Sequence, residues 1–360
     1  MKSTAPPLPR LSLVLTCYNL EDYIEEALKS VFCQDYKGEH ELIIVDDASK
    51  DNSVNVIKNA IAIYGKDWDI TLIQNEQNLG VAGATDRGWN AAKYDWIVEI
   101  DGDDIQLPDR CSRTAELIKK YPHAGFISLS RICIDAAGKE TGRVYLIENG
   151  HGDSYCAAPP HLRTDIYCSG FHKYPVDKGA FGCSMCIRKS IITQWGHLCT
   201  AKQERIAQDP PWELRAFMSA PVVWSNDFAC LYRSHGSNIL NKNRKYATLR
   251  DWINNERSSC QYACKEYQAA TMMLQDVKRA LNTPSLSDWS PELLAQCEAK
   301  LQQYALIYKL KSEWWSYNIF KRAFFAFKYK KHVPAQFSSW LTNRILPLTI
   351  SIGLKKWLKK

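Results

Sequence analysis

Asp101-Gly102-Asp103-Asp104 follows directly on the apolar run Trp96-Ile97-Val98-Glu99-Ile100. A short strand there brings up to three carboxylates to its end, and the glycine lets the backbone turn tightly between them. Hard divalent cations take oxygen ligands, commonly one or two carboxylates together with a substrate's phosphates. The motif therefore suits Mg²⁺ or Mn²⁺ beside a nucleoside diphosphate. A second acidic pair, Asp46-Asp47, lies 55 residues earlier and ends another apolar run, Leu42 to Val45. A carboxylate such as Asp46 can accept a hydrogen bond from a pyrimidine ring N–H, and Tyr18, just after the first apolar run, can pack on a base or ribose. Asp46, Asp47 and Asp51 could equally be turn and helix-capping residues. One acidic pair alone favours that plainer reading; two clusters at strand ends favour a site.

The elements that must position these groups alternate. Leu11 to Thr16 is a compact apolar run, and Ile24, Ala27, Leu28, Val31 and Phe32 follow helical spacing. Leu42 to Val45 is a second strand, and Ser49 to Ser53 opens a helix carrying Val54, Val56 and Ile57. Ile70 to Ile73 reads as a strand, Val81 to Ala92 as a helix, Trp96 to Ile100 as a strand and Asp109 to Tyr121 as a helix ended by Pro122. Such alternation builds an α/β, Rossmann-like, mostly parallel sheet with helices on both faces. In open sheets of this kind ligands bind beyond the carboxyl ends of the strands. Three such ends carry polar groups: Thr16-Cys17-Tyr18-Asn19, Asp46-Asp47-Ala48-Ser49 and Asp101-Gly102-Asp103-Asp104.

Beyond residue 125 the pattern loosens. Phe126 to Ile134 and Arg143 to Ile147 read as strands around the Ala137-Gly138 turn, and Ala180 to Ile187 as another. Residues 149–180 are loop-like, and 250–332 are helical in character with a break near Asn282 to Pro291. The 360 residues, 46% hydrophobic, suffice for a large domain with an appendage or for two domains. Residues 1–10 lack the apolar core of a secretory leader, so the thirteen cysteines read as buried thiols of a reduced, cytoplasmic protein. No run reaches the roughly 18 apolar residues of a membrane-spanning helix.

The strand-end segments resemble family 2 glycosyltransferases of the GT-A fold. The resemblance rests on Leu13-Val14-Leu15-Thr16-Cys17-Tyr18-Asn19, Ile43-Ile44-Val45-Asp46-Asp47-Ala48-Ser49-Lys50-Asp51, Asn75-Glu76-Gln77-Asn78-Leu79-Gly80 and Asp101-Gly102-Asp103-Asp104 with Pro108. It covers residues 10–125 in matching order and spacing. Where the family often has Ala-Arg-Asn-x-Gly, this chain has Thr85-Asp86-Arg87-Gly88-Trp89-Asn90. The resemblance implies a nucleotide-sugar donor, a UDP-sugar first among them, and Mn²⁺ or Mg²⁺. Donor contacts are implied for Thr16, Tyr18, Asp46, Arg87, Asp101 and Gly102, with Asp46 at the base and Asp101 at the ribose or sugar. Asp103 would bind the metal that bridges the phosphates. Tyr232-Arg233-Ser234-His235 resembles a family Tyr-Arg-x-His segment, which implies His235 as a further metal ligand and Arg233 as a phosphate clamp. The family's acid pair about a hundred residues further on corresponds to Gln208-Asp209. Asp209 is thereby implied as the base that takes the acceptor proton, with Gln208 replacing the commoner acid. Asp209 could also cap the helix opening at Pro210-Pro211-Trp212, and both duties are compatible.

Two other sites can be read in the sequence. Cys183-x-x-Cys186, with Cys168, His172, His197 and Cys199, could hold zinc, but no second Cys-x-x-Cys exists, and on a strand the two thiols would face opposite ways. Gly80, Gly83 and Gly88 lack the spacing and place of a dinucleotide-binding fingerprint.

The net charge of +7 is unevenly spread. Residues 301–360 hold twelve Lys/Arg against Glu313 alone, while the other 300 residues hold 34 basic and 38 acidic side chains. The basic residues interleave with Trp314, Trp315, Tyr317, Phe320, Phe324, Phe325, Phe327, Trp340 and Trp357. Aromatic rings with lysines favour an anionic membrane surface, and no nucleic-acid module is recognisable. The expectation is a GT-A domain over 1–250, with a nucleotide-sugar half at 10–125 and an acceptor half at 126–250. A helical, basic C-terminal extension follows at 251–360. The expected activity is inverting, metal-dependent transfer of a hexosyl or N-acetylhexosaminyl group to a glycan or glycolipid acceptor such as lipopolysaccharide, peripheral on the cytoplasmic membrane face. The alternative is a membrane- or polyanion-binding protein that keeps a degenerate GT-A domain.

Overall fold

The computed structural model describes residues 7–145, 154–156, 182–198, 209–235 and 249–317, with residues 320, 324–325 and 328–329 beyond them. β1 (Leu11–Cys17), β2 (His40–Asp46) and β4 (Trp96–Asp101) are buried along nearly their whole length, as strands covered on both faces must be. α1 (Ile24–Phe32), α2 (Ser53–Tyr64), β3 (Asp69–Gln74) and α3 (Gly80–Ala91) fill the crossovers between them. The period-2 alternation of a strand divides the side chains between two cores. Leu13, Leu15, Leu42 and Ile44 pack with α1 and α2, whereas Val14, Ile43 and Val45 pack with α3. α3 lies so close to the sheet that a Cβ on Gly88 would sit 2.4 Å from Val14 Cγ1.

β5 (Ile105–Gln106), α4 (Arg110–Lys120), β6 (Phe126–Asp135) and β7 (Glu140–Tyr145) follow. Next come β8 (Ser154–Cys156), β9 (Met185–Arg188), α5 (Lys189–Trp195), α6 (Asp209–Ser219) and β10 (Val222–Ser234). The sheet order is β3-β2-β1-β4-β9-β6-β10-β5, with β7 beside β6 and β8 beside β10. The long registers are parallel; the antiparallel pairings, among them β9 between β4 and β6, join three residue pairs or fewer. The expected strand from Ala180 is shorter than its sequence suggests: Gly182–Ser184 form a 3₁₀ turn and only Met185–Arg188 pair. Every residue from Gly182 to Ile187 is buried, so no alternation marks where the turn stops and the strand begins.

α7 (Leu249–Asn282) and α8 (Pro291–Glu313) form a helical hairpin. Ala270, Met273, Val277, Leu294 and Leu301 share one apolar cluster with Val14 and Ile43 of the sheet. Burying such a Val, Leu or Met side chain contributes about 1.5–3 kcal/mol each. The Arg215 guanidinium clamps α6 to α7: Nε donates to Asp276 Oδ2 at 2.7 Å and Nη2 to Asp276 Oδ1 at 3.1 Å. Among the described residues, no helix is long and apolar enough to cross a membrane. Most of the basic aromatic tail, and residues 157–181 and 236–248, lie outside the described residues.

Candidate active site

The chain's crossover direction reverses at β1, which lies between β2 and β4, and this is where an open α/β sheet leaves a crevice. The register pairs Cys17 with Asp46 and Thr16 with Asp101, so Thr16, Asp46 and Asp101 end three adjacent strands side by side. Gly102 N donates to Thr16 O at 3.0 Å. A Cβ at Gly102 would stand 2.7 Å from that oxygen, so only glycine fits this crossing. Asn19 and Ala48 hold φ of 53° and 61°, an uncommon conformation for side-chain-bearing residues. The two strained loops hold each other: Asn19 N donates to Ser49 Oγ at 2.9 Å, and Lys50 N to Asn19 Oδ1 at 2.7 Å. Tyr18 stands 41% exposed beside them.

Asp46 and Asp47 have separate duties. Asp47 accepts from Leu79 N and Gly80 N, both at 2.8 Å, and so satisfies the free amides that open α3. It also accepts from Asn75 Nδ2 at 2.8 Å. Asp46 accepts from Ser49 N at 3.1 Å through Oδ2, while its buried Oδ1 has no partner among the described residues. A buried acceptor left bare costs free energy, and a ring N–H of a bound base would relieve it.

Beyond β4, Asp101, Asp103 and Asp104 each bring one carboxylate oxygen within 4.8 Å of the others. Asp103 Oδ2 lies 2.9 Å from His235 Nε2. Neighbouring ligands on an octahedral ion bound at 2.0–2.1 Å stand about 3 Å apart, so this pair suits a Mg²⁺- or Mn²⁺-sized ion. Tyr23 packs its ring on His235 with centroids 4.7 Å apart. Asp104 is fully buried and accepts from Arg233 N at 2.8 Å. Arg233 departs from the phosphate clamp implied for it. Its guanidinium is buried and spent within the fold, donating to Asp103 O at 2.9 Å, Ala136 O at 3.1 Å and Glu26 Oε2 at 2.5 Å. It braces the metal-type loop against α1.

The electrostatics are those of a carboxylate-rich cleft. Burial, then the charges of Asp103 and Asp209, push Asp101 up to about 8, against the pull of Arg110 and Arg131. Burial pushes Asp209 up to about 6, with the Gly182 main chain and Arg131 opposing and Glu266 adding to the rise. The fold therefore brings Asp209 into the field of Asp101 from a hundred residues away, at the first residue of α6, with Pro210 and Pro211 in the first turn as a helix start allows. Behind Asp101, Glu99 is buried and held by Trp89 Nε1 at 2.5 Å and Thr85 Oγ1 at 2.9 Å, and burial raises it well above the carboxylate range. An excess of crowded carboxylates is relieved by binding a cation.

Sequence reasoning missed the cations that flank these acids. Arg110 is 1% exposed and donates to Glu99 O at 2.7 Å. Arg131, 2% exposed, lies with its guanidinium 4.9 Å from the Tyr145 ring and 5.4 Å from the Tyr232 ring. A charge in the middle of the otherwise uncharged run Phe126 to Ile134 was the signal available for Arg131. Arg87 is exposed on α3, and no contact given by the described residues joins it to the carboxylates. Among the described residues the zinc grouping does not assemble. Cys183 lies in the 3₁₀ turn before β9, so it and Cys186 enter the same apolar cluster instead of opposite faces. His197 faces Asp86, with Nδ1 3.9 Å from Oδ1, while Cys168, His172 and Cys199 lie outside the described residues.

Residues 12–179 match the family described as glycosyl transferase family 2. That match covers 168 of the chain's 360 residues, a little under half. EpsE of Bacillus subtilis, which bears a glycosyltransferase name, is 31% identical over 164 residues, 44% of this chain and 58% of EpsE. Poly-β-1,6-N-acetyl-D-glucosamine synthase of Staphylococcus epidermidis is 30% identical over 128 residues, 36% of this chain and 30% of the synthase. The matches thus span little more than half of one curated relative and under a third of the other. Residues 1–349 of S. aureus TarS, solved with UDP-GlcNAc, share the fold at TM-score 0.50 and 13% identity, over 83% of this chain and 91% of that one. The α/β architecture is that of GT-A glycosyltransferases.

Proposed function

We propose that the chain transfers a sugar from a nucleoside diphosphate donor to an acceptor hydroxyl with inversion, using Asp209 as base. The observation that carries this reading is the carboxylate cluster Asp101, Asp103 and Asp104 beyond β4, with Asp209, at the start of α6, near enough for its charge to act on Asp101. Asp46 accepts the base N–H, Tyr18 packs on the base or ribose, and Thr16, Gly102 and Asp101 line the ribose or sugar. Arg87 is the phosphate-side cation of this reading. Asp103 and His235 would hold Mn²⁺ or Mg²⁺, which when bound stabilises charge on the departing diphosphate. The acceptor O–H gives its proton to Asp209 as its oxygen bonds to the anomeric carbon, the sugar–phosphate bond breaks on the opposite face, and the nucleoside diphosphate leaves.

UDP-GlcNAc is the donor to try first. TarS was solved with it, and the staphylococcal synthase is named for a polymer of N-acetylglucosamine. The acceptor of this reading is a glycan or glycolipid, lipopolysaccharide among the candidates. Phe320 and Phe324 are 82% and 59% exposed, and with the basic tail they support peripheral contact with an anionic membrane on its cytoplasmic face. The division into 10–125, 126–250 and 251–360 belongs to the same proposal. Thermal stability with UDP-, GDP- and dTDP-sugars, with and without Mn²⁺, tests the donor side. A metal-dependent rise with one nucleotide family, abolished by EDTA, is expected; no rise with any donor favours a degenerate GT-A domain that only binds membranes or polyanions. Liposome sedimentation after truncation at residue 300 tests the tail, and undiminished binding to anionic vesicles refutes it.

A further inference from the structure

A carboxylate and two thiols meet beside the Asp101–Asp104 loop, in a group that sugar transfer does not use. Asp104, Cys183 and Cys230 each bring one ligand atom within 4.8 Å of the other two, and all three residues are buried. Cys183 thus faces Cys230, 47 residues on, a partner that the Cys-x-x-Cys spacing does not announce. Cys230 Sγ lies 3.7 Å from Cys183 O, and Arg131 Nη1 lies 3.9 Å from Cys183 Sγ. Asp104 Oδ1 accepts from Arg233 N at 2.8 Å, while its buried Oδ2 has no partner among the described residues. A buried carboxylate oxygen left bare costs free energy, and apolar packing has no use for it.

Local irregularities bring the three together. Asp104 sits in the tight turn after β4, its N donating to Asp101 O at 3.2 Å. Cys183 lies in the 3₁₀ turn Gly182–Ser184 that precedes β9. Cys230 stands on β10 just past two register shifts, Ser225 to Phe228 and Phe228 to Cys230, and such bulges re-aim the side chains that follow. The donor set then selects the ion. Thiolates take thiophilic ions of the Zn²⁺ class, whereas carboxylate oxygens alone suit Mg²⁺ or Mn²⁺. Zn–S bonds of about 2.3 Å and Zn–O bonds of about 2.0–2.2 Å set tetrahedral ligand atoms about 3.6–3.8 Å apart, so the group closes on an ion by moving about 1 Å. Two thiolates and a carboxylate carry three negative charges, which a divalent ion and the adjacent Arg131 guanidinium balance, as a buried site requires.

We propose that Asp104, Cys183 and Cys230 form a second metal site, which takes a thiophilic divalent ion of the Zn²⁺ class and ties the turn before β9 to β10 and to the loop after β4. Asp104 Oδ2 and the two sulfurs are the protein ligands, and the fourth position is left to a small ligand such as water. As the two metal–sulfur bonds form, the two thiol protons pass to solvent, and no electron is transferred. Asp104 also belongs to the group Asp101, Asp103 and Asp104, so a bound ion stiffens the loop that carries Asp103. The site does not depend on the chain transferring sugar.

The test uses the full chain produced in minimal medium with Co²⁺, so that the ion enters as the chain folds, followed by dialysis against Mg²⁺ to clear the carboxylate-only cluster. We expect tightly held cobalt with a sulfur-to-cobalt charge-transfer band in the near ultraviolet and the intense visible bands of a tetrahedral ion. Added Zn²⁺ should bleach both by displacement. Cys183→Ala and Cys230→Ala should each lower the sulfur band by about half or more, since each removes one of the two thiolates. Asp103→Ala, which removes a ligand proposed for the donor's metal, and Cys264→Ala, at an exposed thiol, should both keep the band. A wild-type chain without the band overturns the proposal, and so does a band unchanged in both cysteine variants. Should those variants fail to fold, an anomalous difference map at the zinc edge from zinc-loaded wild-type crystals decides the matter. A peak between Cys183 and Cys230 is expected, and its absence there overturns the site.

Discussion

The strand ends of β1, β2 and β4 and the packed helices α6, α7 and α8 are held by different physics. On the strand side, Thr16, Asp46 and Asp101 are placed by sheet register, and Gly102, Asn19 and Ala48 set the loops by backbone conformation. On the helix side, the helices are tied to one another by buried polar links, Arg215 of α6 to Asp276 of α7 and Tyr304 of α8 to Glu266 of α7. Register is enforced by many backbone hydrogen bonds at once. A polar link depends on two side chains, so the helix side should fail by single substitutions that the strand side tolerates.

The largest effect is expected at the proposed metal ligand on the strand side. Asp103→Ala should lower UDP release by about 10³-fold or more while the melting temperature stays near the wild-type value. Parallel loss of stability and activity would make Asp103 a structural residue. Next is the clamp that positions the helix side. Arg215→Ala leaves Asp276, 2% exposed, with only Arg279 Nη1 at 3.7 Å from Oδ1, and should cost about 1.5–3 kcal/mol in urea unfolding. A cost near zero would remove the contrast between the two sides. Gly102→Ala must push the Asp101 loop off Thr16 O, where the added Cβ would stand at 2.7 Å. It should cost about 1–3 kcal/mol and weaken donor binding, measured by calorimetry with UDP and Mn²⁺. The mildest effect is that of pH. The base must be ionised, and Asp209 titrates near 6. Activity should therefore fall by about tenfold per pH unit below that value and level off above it. A flat profile from pH 7 to 5 would exclude a base with this titration.

The difference between the sides also explains what the sequence discloses. Asp46, Asp101 and Asp103 end short apolar runs, and alternation of strands and helices carries such ends to one edge of the sheet. Their neighbourhood is a local fact repeated three times, so it is readable. Arg233 is locally just as visible, but its duty is decided by Glu26 on α1, 207 residues away. Glu266 sits in an amphipathic helix where one more acidic residue signals nothing, and its phenol partner Tyr304 is 38 residues on in the next helix. Arg131 did leave a trace, as a charge inside an apolar run, which is costly unless something nearby is negative, whereas Arg110 stands among the charges of a helix start and left none. The 3₁₀ turn at Gly182–Ser184 left none, because complete burial erases periodicity.

The measurement that bears most directly on the account compares Asp209→Asn with the wild type in two assays on the same samples, calorimetric binding of UDP with Mn²⁺ and single-turnover UDP release from UDP-GlcNAc. The account predicts unchanged nucleotide binding, since the strand ends are intact, and turnover lower by about 10²–10⁴-fold. Near-normal turnover in Asp209→Asn would contradict it.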